Sequence, residues 1–168
     1  MQEHIQNELA SFIANCDWEK IAPHFKEDAA YRVLDWVGCA VAGEHYPQVE
    51  IAQKYFIENG DQGNSTVIGH QIKCSPRTAA FLNGIAGHVC ELDDGHRTAI
   101  GHPGSIAVPT ALALGEHLNA SGADVLKAVI LGYEVFSRLG RTVNPSHYRT
   151  WHTTGTCGTI AAAAAAAS

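Results

Sequence analysis

Charge and aromatic rings are both sparse in this sequence. Asp, Glu, Lys and Arg make up 17% of its 168 residues and aromatics 8%, while 46% is apolar. That balance excludes a disordered tail and fits a globular chain with a real core. The formal charge is −6, so no global basic field draws nucleic acid or an anionic membrane. The five cysteines (Cys16, Cys39, Cys74, Cys90, Cys157) are odd in number and scattered, with no C-x-x-C pair. Neither a disulfide framework nor a zinc knuckle is indicated. No G-x-x-x-x-G-K-[ST], G-x-G-x-x-G or H-E-x-x-H occurs, which leaves nucleotide binding and standard zinc hydrolysis without support. The longest strongly apolar run is the terminal alanine stretch, far too short to span a bilayer. Met1–Asn7 is polar and lacks the apolar centre of a signal peptide. A reduced, cytoplasmic setting is the expectation.

What is present reads as helix nearly throughout. Ile5, Leu9, Phe12 and Ile13 form one stripe. Val33, Leu34, Val37, Ala40 and Val41 form another, with Gly43 at its end. Pro47 can open a helix through Ile51, Tyr55 and Phe56 that stops at Asn59-Gly60. Residues 61–73 are a long loop with an extended stretch at Thr66–Ile68 and room for a small hairpin. Ser75-Pro76 starts a helix expected to reach about Leu92. Further helices are expected over Ile106–Leu118, after the Ser121/Asp124 capping spacing, and from Thr153 into the alanines. Asn144-Pro145 separates the last two. The predicted class is all-α, a compact multi-helix orthogonal bundle. Small residues such as Gly84, Gly87, Gly155 and Gly158 allow close helix approach. The chain stops within an alanine-rich helix, so an incomplete domain is expected.

Two polar clusters stand out. The first runs His88-Val89-Cys90-Glu91-Leu92-Asp93-Asp94-Gly95-His96-Arg97-Thr98 and closes on His102-Pro103-Gly104. His88 and Glu91 have helical i, i+3 spacing. Asp93 and Asp94 sit where the negative end of a helix dipole disfavours carboxylates. Neither packing nor propensity asks for them, which points to a function. Capping and bridging of neighbouring helices is the alternative. The second cluster is Tyr148–Gly158, in which His152 and three threonines precede a helix. Free N–H groups at a helix start bind carboxylates well, and His152 could move protons beside one. Ordinary N-capping by the threonines is the plainer reading. Cys157 near that helix start could be an activated thiol. Arg138, Arg141 and Arg149 form a cationic stretch, with no acid from Val135 onward, that could serve an anionic ligand.

Taken together, the segments resemble the MmgE/PrpD family. Leu34-Asp35 through Gly38 to Ala42-Gly43 is similar to its early "LDxxGxxxAG" helix. Ser75-Pro76, Ala79-Ala80 and Asn83-Gly84 resemble "SPxxAAxxNG". His88-x-x-Glu91-Leu92-Asp93-Asp94 resembles "HxxDxDD", departing at Glu91 where the family pattern has Asp. His102-Pro103-Gly104-Ser105, Gly132-Tyr133-Glu134-Val135 with Arg138, and His152-x-Thr154-Gly155-Thr156-x-Gly158 complete the series in the family's order.

The resemblance implies a cofactor-independent enzyme, usually a homodimer. A helical domain, of which residues 1–168 are part, closes against an α/β lid that lies outside this sequence. A piece without its lid would be inactive alone. The implied chemistry is lyase or isomerase work on small polycarboxylic acids. 2-Methylcitrate dehydratase is the first expectation, with cis-aconitate decarboxylase or iminodisuccinate epimerase as alternatives. Each reaction passes through a carbanion or enolate beside a carboxylate, which needs anion donors and a proton carrier near neutral pH. Asp93, His102 and His152 are the expected catalytic residues. Glu91, Asp94, Arg97, Thr98 and Thr154 are the expected substrate contacts. No metal, nucleic acid or membrane partner is expected. A metal-dependent hydrolase built on His88–His102, or a non-catalytic helical binding module, is the reading from another class.

Overall fold

A computed structural model describes residues 4–168; Met1–Glu3, the first part of the polar N-terminal stretch, lie outside it. Among the described residues the chain forms seven helices and one small hairpin: α1 (Ile5–Ala14), α2 (Pro23–Gly43), α3 (Pro47–Glu58), β1 (Ser65–Val67), β2 (Ile72–Cys74), α4 (Pro76–His88), α5 (Gly104–Leu118), α6 (Gly122–Val143) and α7 (Thr153–Ala166). The fold is thus mostly helical, as the periodicity implies. The hairpin is antiparallel, with Thr66 opposite Lys73, and it lies in the loop that showed an extended stretch. None of these helices is long and apolar enough to cross a membrane.

The boundaries have local causes. Ser75 accepts from the Thr78 N–H and Pro76 takes the first helical position of α4. Ser121 and Asp124 form a reciprocal capping box at the start of α6. Helix α3 ends at Glu58 with Asn59 as its C-cap, and Gly60 follows with φ +74°.

The core sits where α2, α4, α5, α6 and α7 meet. Trp36, Ala40, Val49, Ala86, Val108 and Val129 pack together. A second cluster around Phe136, Cys157 and Ala161 receives Leu9 and Ile13 of α1. Small residues set the helix spacing. A Cβ at Gly87 would lie 2.5 Å from the Trp36 indole nitrogen, and one at Gly132 would lie 2.7 Å from the Ala107 methyl. The alanine face of α7 buries Ala161, Ala164 and Ala165 in the same way.

Two expectations about faces are corrected. Leu34 and Val41 are exposed, and so are Ile51 and Tyr55. Helix α2 turns Trp36, Cys39, Ala40 and Gly43 inward instead, and α3 turns in Val49 and Gln53. A tryptophan's large apolar area fixes the rotation of α2, and the remaining aliphatic positions follow it. A third correction concerns α4. It ends at His88 rather than near Leu92, and Glu91 takes a left-handed φ of +52°. Asp93 and Asp94 therefore lie in a loop beyond the helix, and the dipole argument does not apply to them. His88 and Glu91 remain close, with Nε2 and Oε1 3.7 Å apart.

Candidate active site

The loop between α4 and α5 carries the first polar cluster, and its path is fixed by polar ties. The His96 N–H donates to the Gly101 carbonyl at 2.8 Å. The Asp94 carboxylate accepts the Gly104 N–H at 3.0 Å and an Arg32 N–H at 3.1 Å. The Asn144 amide, at the end of α6, donates to the Ala99 carbonyl and to Thr153 Oγ1. That one side chain joins the loop to the start of α7. The His102 N–H donates to Thr154 Oγ1 at 3.1 Å, a second tie. The threonines of the second cluster thus fasten loops. No side chain caps the α7 N-terminus by hydrogen bonding at the N-cap position, His152.

These ties bring three residues into one cluster. The Asp93 side chain has no exposed area. His88 Nδ1 lies 3.0 Å from Asp93 Oδ1 and 3.1 Å from Oδ2. His102 Nδ1 lies 3.4 Å from Asp93 Oδ2, and the two imidazoles meet edge to face at 4.7 Å between centroids. The His102 contact is a charge–dipole approach rather than a formed hydrogen bond, since its buried Nδ1 has no aligned acceptor. One ligand atom from each of His88, Asp93 and His102 lies within 4.8 Å of the others, so these three could hold a metal ion.

Beside the cluster runs a groove of about 530 Å³, lined by His88, Ser105, His152, Thr154 and Gly155 over an apolar floor that includes Phe81 and Ile85. His152 is exposed at its rim. Asp93 and His102 do not line the groove themselves; each touches a residue that does, Asp93 through His88 and His102 through Thr154. Asp94, Arg97 and Thr98 do not join them. They line a second depression of about 430 Å³ with Arg32 and Tyr133. There the Arg32 guanidinium lies 5.1 Å from the Tyr133 ring centre, and burial, reinforced by Asp94, pushes the Tyr133 phenol up. Glu91 stands at the cluster's outer edge with 73% of its side chain exposed. The arginine stretch is elsewhere. Arg138 pairs with Glu134 at 2.7 Å, and none of Arg138, Arg141 and Arg149 lines either depression.

Cys157 is buried in α7, and burial pushes its thiol up, opposite to an activated nucleophile. Burial likewise raises Cys39 and Cys74. In the folded protein near pH 8, Ellman's reagent is expected to reach the half-buried Cys16 and Cys90 first. The other three should react only on unfolding. Rapid labelling of Cys157 in the native state would contradict this assignment.

Two links are not legible in the sequence. His88 stands out there through its helical spacing to Glu91 and as a possible metal ligand, but its tie to Asp93 does not, because a five-residue offset matches no helical or metal-loop spacing. Arg32 is 62 positions from its partner Asp94, and no local signal links them.

Comparison with known proteins leads to the same family as the motifs. The chain is 31% identical over 171 residues to the cis-aconitate decarboxylase-like protein oryM of Aspergillus oryzae, covering 96% of this chain and 36% of that protein. It is 31% identical over 170 residues to cis-aconitate decarboxylase of Aspergillus terreus (97% and 34%). It is 34% identical over 142 residues to the human (Homo sapiens) cis-aconitate decarboxylase (80% and 29%). The chain spans about a third of the length of these relatives. With residues 7–168 matching the MmgE/PrpD N-terminal domain, the chain belongs to the MmgE/PrpD family.

Proposed function

We propose that this chain supplies the helical half of a lyase acting on a small polycarboxylic acid, with decarboxylation of a cis-aconitate-like tricarboxylate as its reaction. The observation that carries the reading is the cluster of Asp93, His88 and His102 beside a groove rimmed by His152. Imidazoles next to a buried carboxylate can both anchor an anionic substrate and carry a proton near neutral pH. The start of α7, through Thr154 and Gly155, lines the same groove. The names of the relatives favour decarboxylation over the dehydration of 2-methylcitrate that the motifs alone first suggest. Homodimer formation and an α/β lid completing the site are part of the same reading.

In the reaction, a carbon–carbon bond breaks and CO₂ leaves. Its electron pair stays on the allylic fragment as a dienolate conjugated with a remaining carboxylate. His102 or His152 then delivers one proton to carbon. Thr154 fixes the His102 backbone, and Asp93 orients the His102 ring. The test is an assay of the full-length protein in D₂O against cis-aconitate, 2-methylcitrate and iminodisuccinate, followed by NMR. Release of CO₂ from cis-aconitate with one deuterium on product carbon is expected. Water loss from 2-methylcitrate would return the dehydratase reading. Inactivity on all three acids, with one equivalent of tightly held zinc or iron, would replace both with a metal-dependent hydrolase.

A further inference from the structure

We propose that His88 is a positioning residue that holds Asp93 in place for His102. The inference rests on the lyase reading only for its activity readout. A carboxylate with no solvent exposure must find donors inside the protein. Among the described residues the only side-chain hydrogen bonds to Asp93 come from His88 Nδ1, which reaches both oxygens at 3.0 and 3.1 Å. No Lys or Arg pairs with it; its ion-pair contacts are the two histidines. An ionised carboxylate only accepts, so His88 Nδ1 carries a hydrogen there. His102 Nδ1 is buried, otherwise unpartnered, and 3.4 Å from Oδ2. It needs a small shift of ring or carboxylate to form the same bond. With Nδ1 protonated on Asp93, the neutral His102 ring keeps its basic lone pair on Nε2, the nitrogen left for a substrate. Asp93 thus selects the tautomer of His102, and His88 keeps Asp93 aimed. Catalytic hydrogen bonds of this kind often tighten only when substrate is bound.

The geometry sets a sharp comparison. An asparagine amide nitrogen falls near the place of an imidazole Nδ1, and a glutamine amide nitrogen falls near Nε2. His88→Asn therefore keeps a donor to Asp93, whereas His88→Gln and His88→Ala do not. The test uses full-length protein with ¹⁵N-labelled histidine, reading the His102 tautomer from two-bond ¹H–¹⁵N spectra without substrate, and kcat separately. The wild type is expected to show His102 protonated at Nδ1. His88→Asn should keep that signature and stay within about tenfold in kcat. His88→Gln and His88→Ala should lose the Nδ1 bias and fall by about 10²-fold, the usual scale for losing an oriented acid–base group. Asp93→Asn, similar in shape, should lose the bias as well. It supplies the answer if the His88 variants fail to fold.

Equal damage from His88→Asn and His88→Gln would overturn the proposal and make His88 a proton carrier itself. So would an unchanged His102 tautomer in Asp93→Asn, or one equivalent of metal displacing both Nδ1 protons. The spectra need no turnover. A protein inactive on every polycarboxylate yet showing the Nδ1 signature would defeat the lyase reading and leave this one standing.

Discussion

Truncating His102 to alanine in the full-length protein is expected to lower kcat by about 10²-fold or more, the contribution typical of a positioned acid–base group. His152→Ala should cost a similar factor. Neither ring supports the fold strongly. His152 is exposed, and its side chain makes no capping bond to the helix it precedes. His102 is fixed mainly through its backbone N–H on Thr154, which alanine retains. The loss of rate should therefore come without a matching loss of stability, with thermal midpoints shifting by only a few degrees. Near-normal turnover in either variant would remove that histidine from the chemistry. A large fall in midpoint alongside the fall in kcat would instead assign it a structural part.

Gly43→Ala should destabilise the protein by about 2–3 kcal/mol, the upper part of the overpacking range. For a chain of this size that corresponds to a fall in Tm of roughly 5–10 °C. A Cβ at Gly43 would run into the Ala86 carbonyl oxygen of α4 and crowd the Val89 side chain at 2.8 Å. Backbone cannot swing aside as a side-chain tip can, so α2 and α4 would have to separate. The same substitution five residues earlier is the control. Nothing lies within 4 Å of a Cβ at Gly38, which is exposed in the same helix. Gly38→Ala should stabilise by about 0.5–1 kcal/mol through helix propensity alone. Opposite signs at these two glycines, read by thermal or urea melts, would establish the α2–α4 contact as a backbone approach. Equal effects would dismiss it.

Element existence was largely legible from sequence because its signals are local. Ser75-Pro76, the Ser121–Asp124 box, Asn59-Gly60 and Asn144-Pro145 each act on the few residues around them, and each marks a real boundary. Helix rotation was less legible. Leu34 and Trp36 are both apolar, and only packing against Gly87 and Ala86 decides that Trp36 goes inward. The end of α4 was misjudged because apolar and polar residues continue in helical spacing past His88. The chain turns away there to form the loop held by Arg32, Asn144 and Thr154, which are distant in sequence. The same limit governs the candidate site. The residue types of the two polar clusters, with the family resemblance, gave Asp93, His102 and His152 as catalytic candidates and placed Thr154 with Glu91, Asp94, Arg97 and Thr98 as substrate contacts. That Thr154 lines one depression and Asp94, Arg97 and Thr98 another depends on how one loop folds, which no spacing records.

Asn144 imposes a mechanical condition on this arrangement. Its amide grips the segment leading to His102 and, at the same time, the first residue after His152. The two histidines consequently share one pivot at the tip of α6. Loss of that one amide would release the loop and the α7 start together.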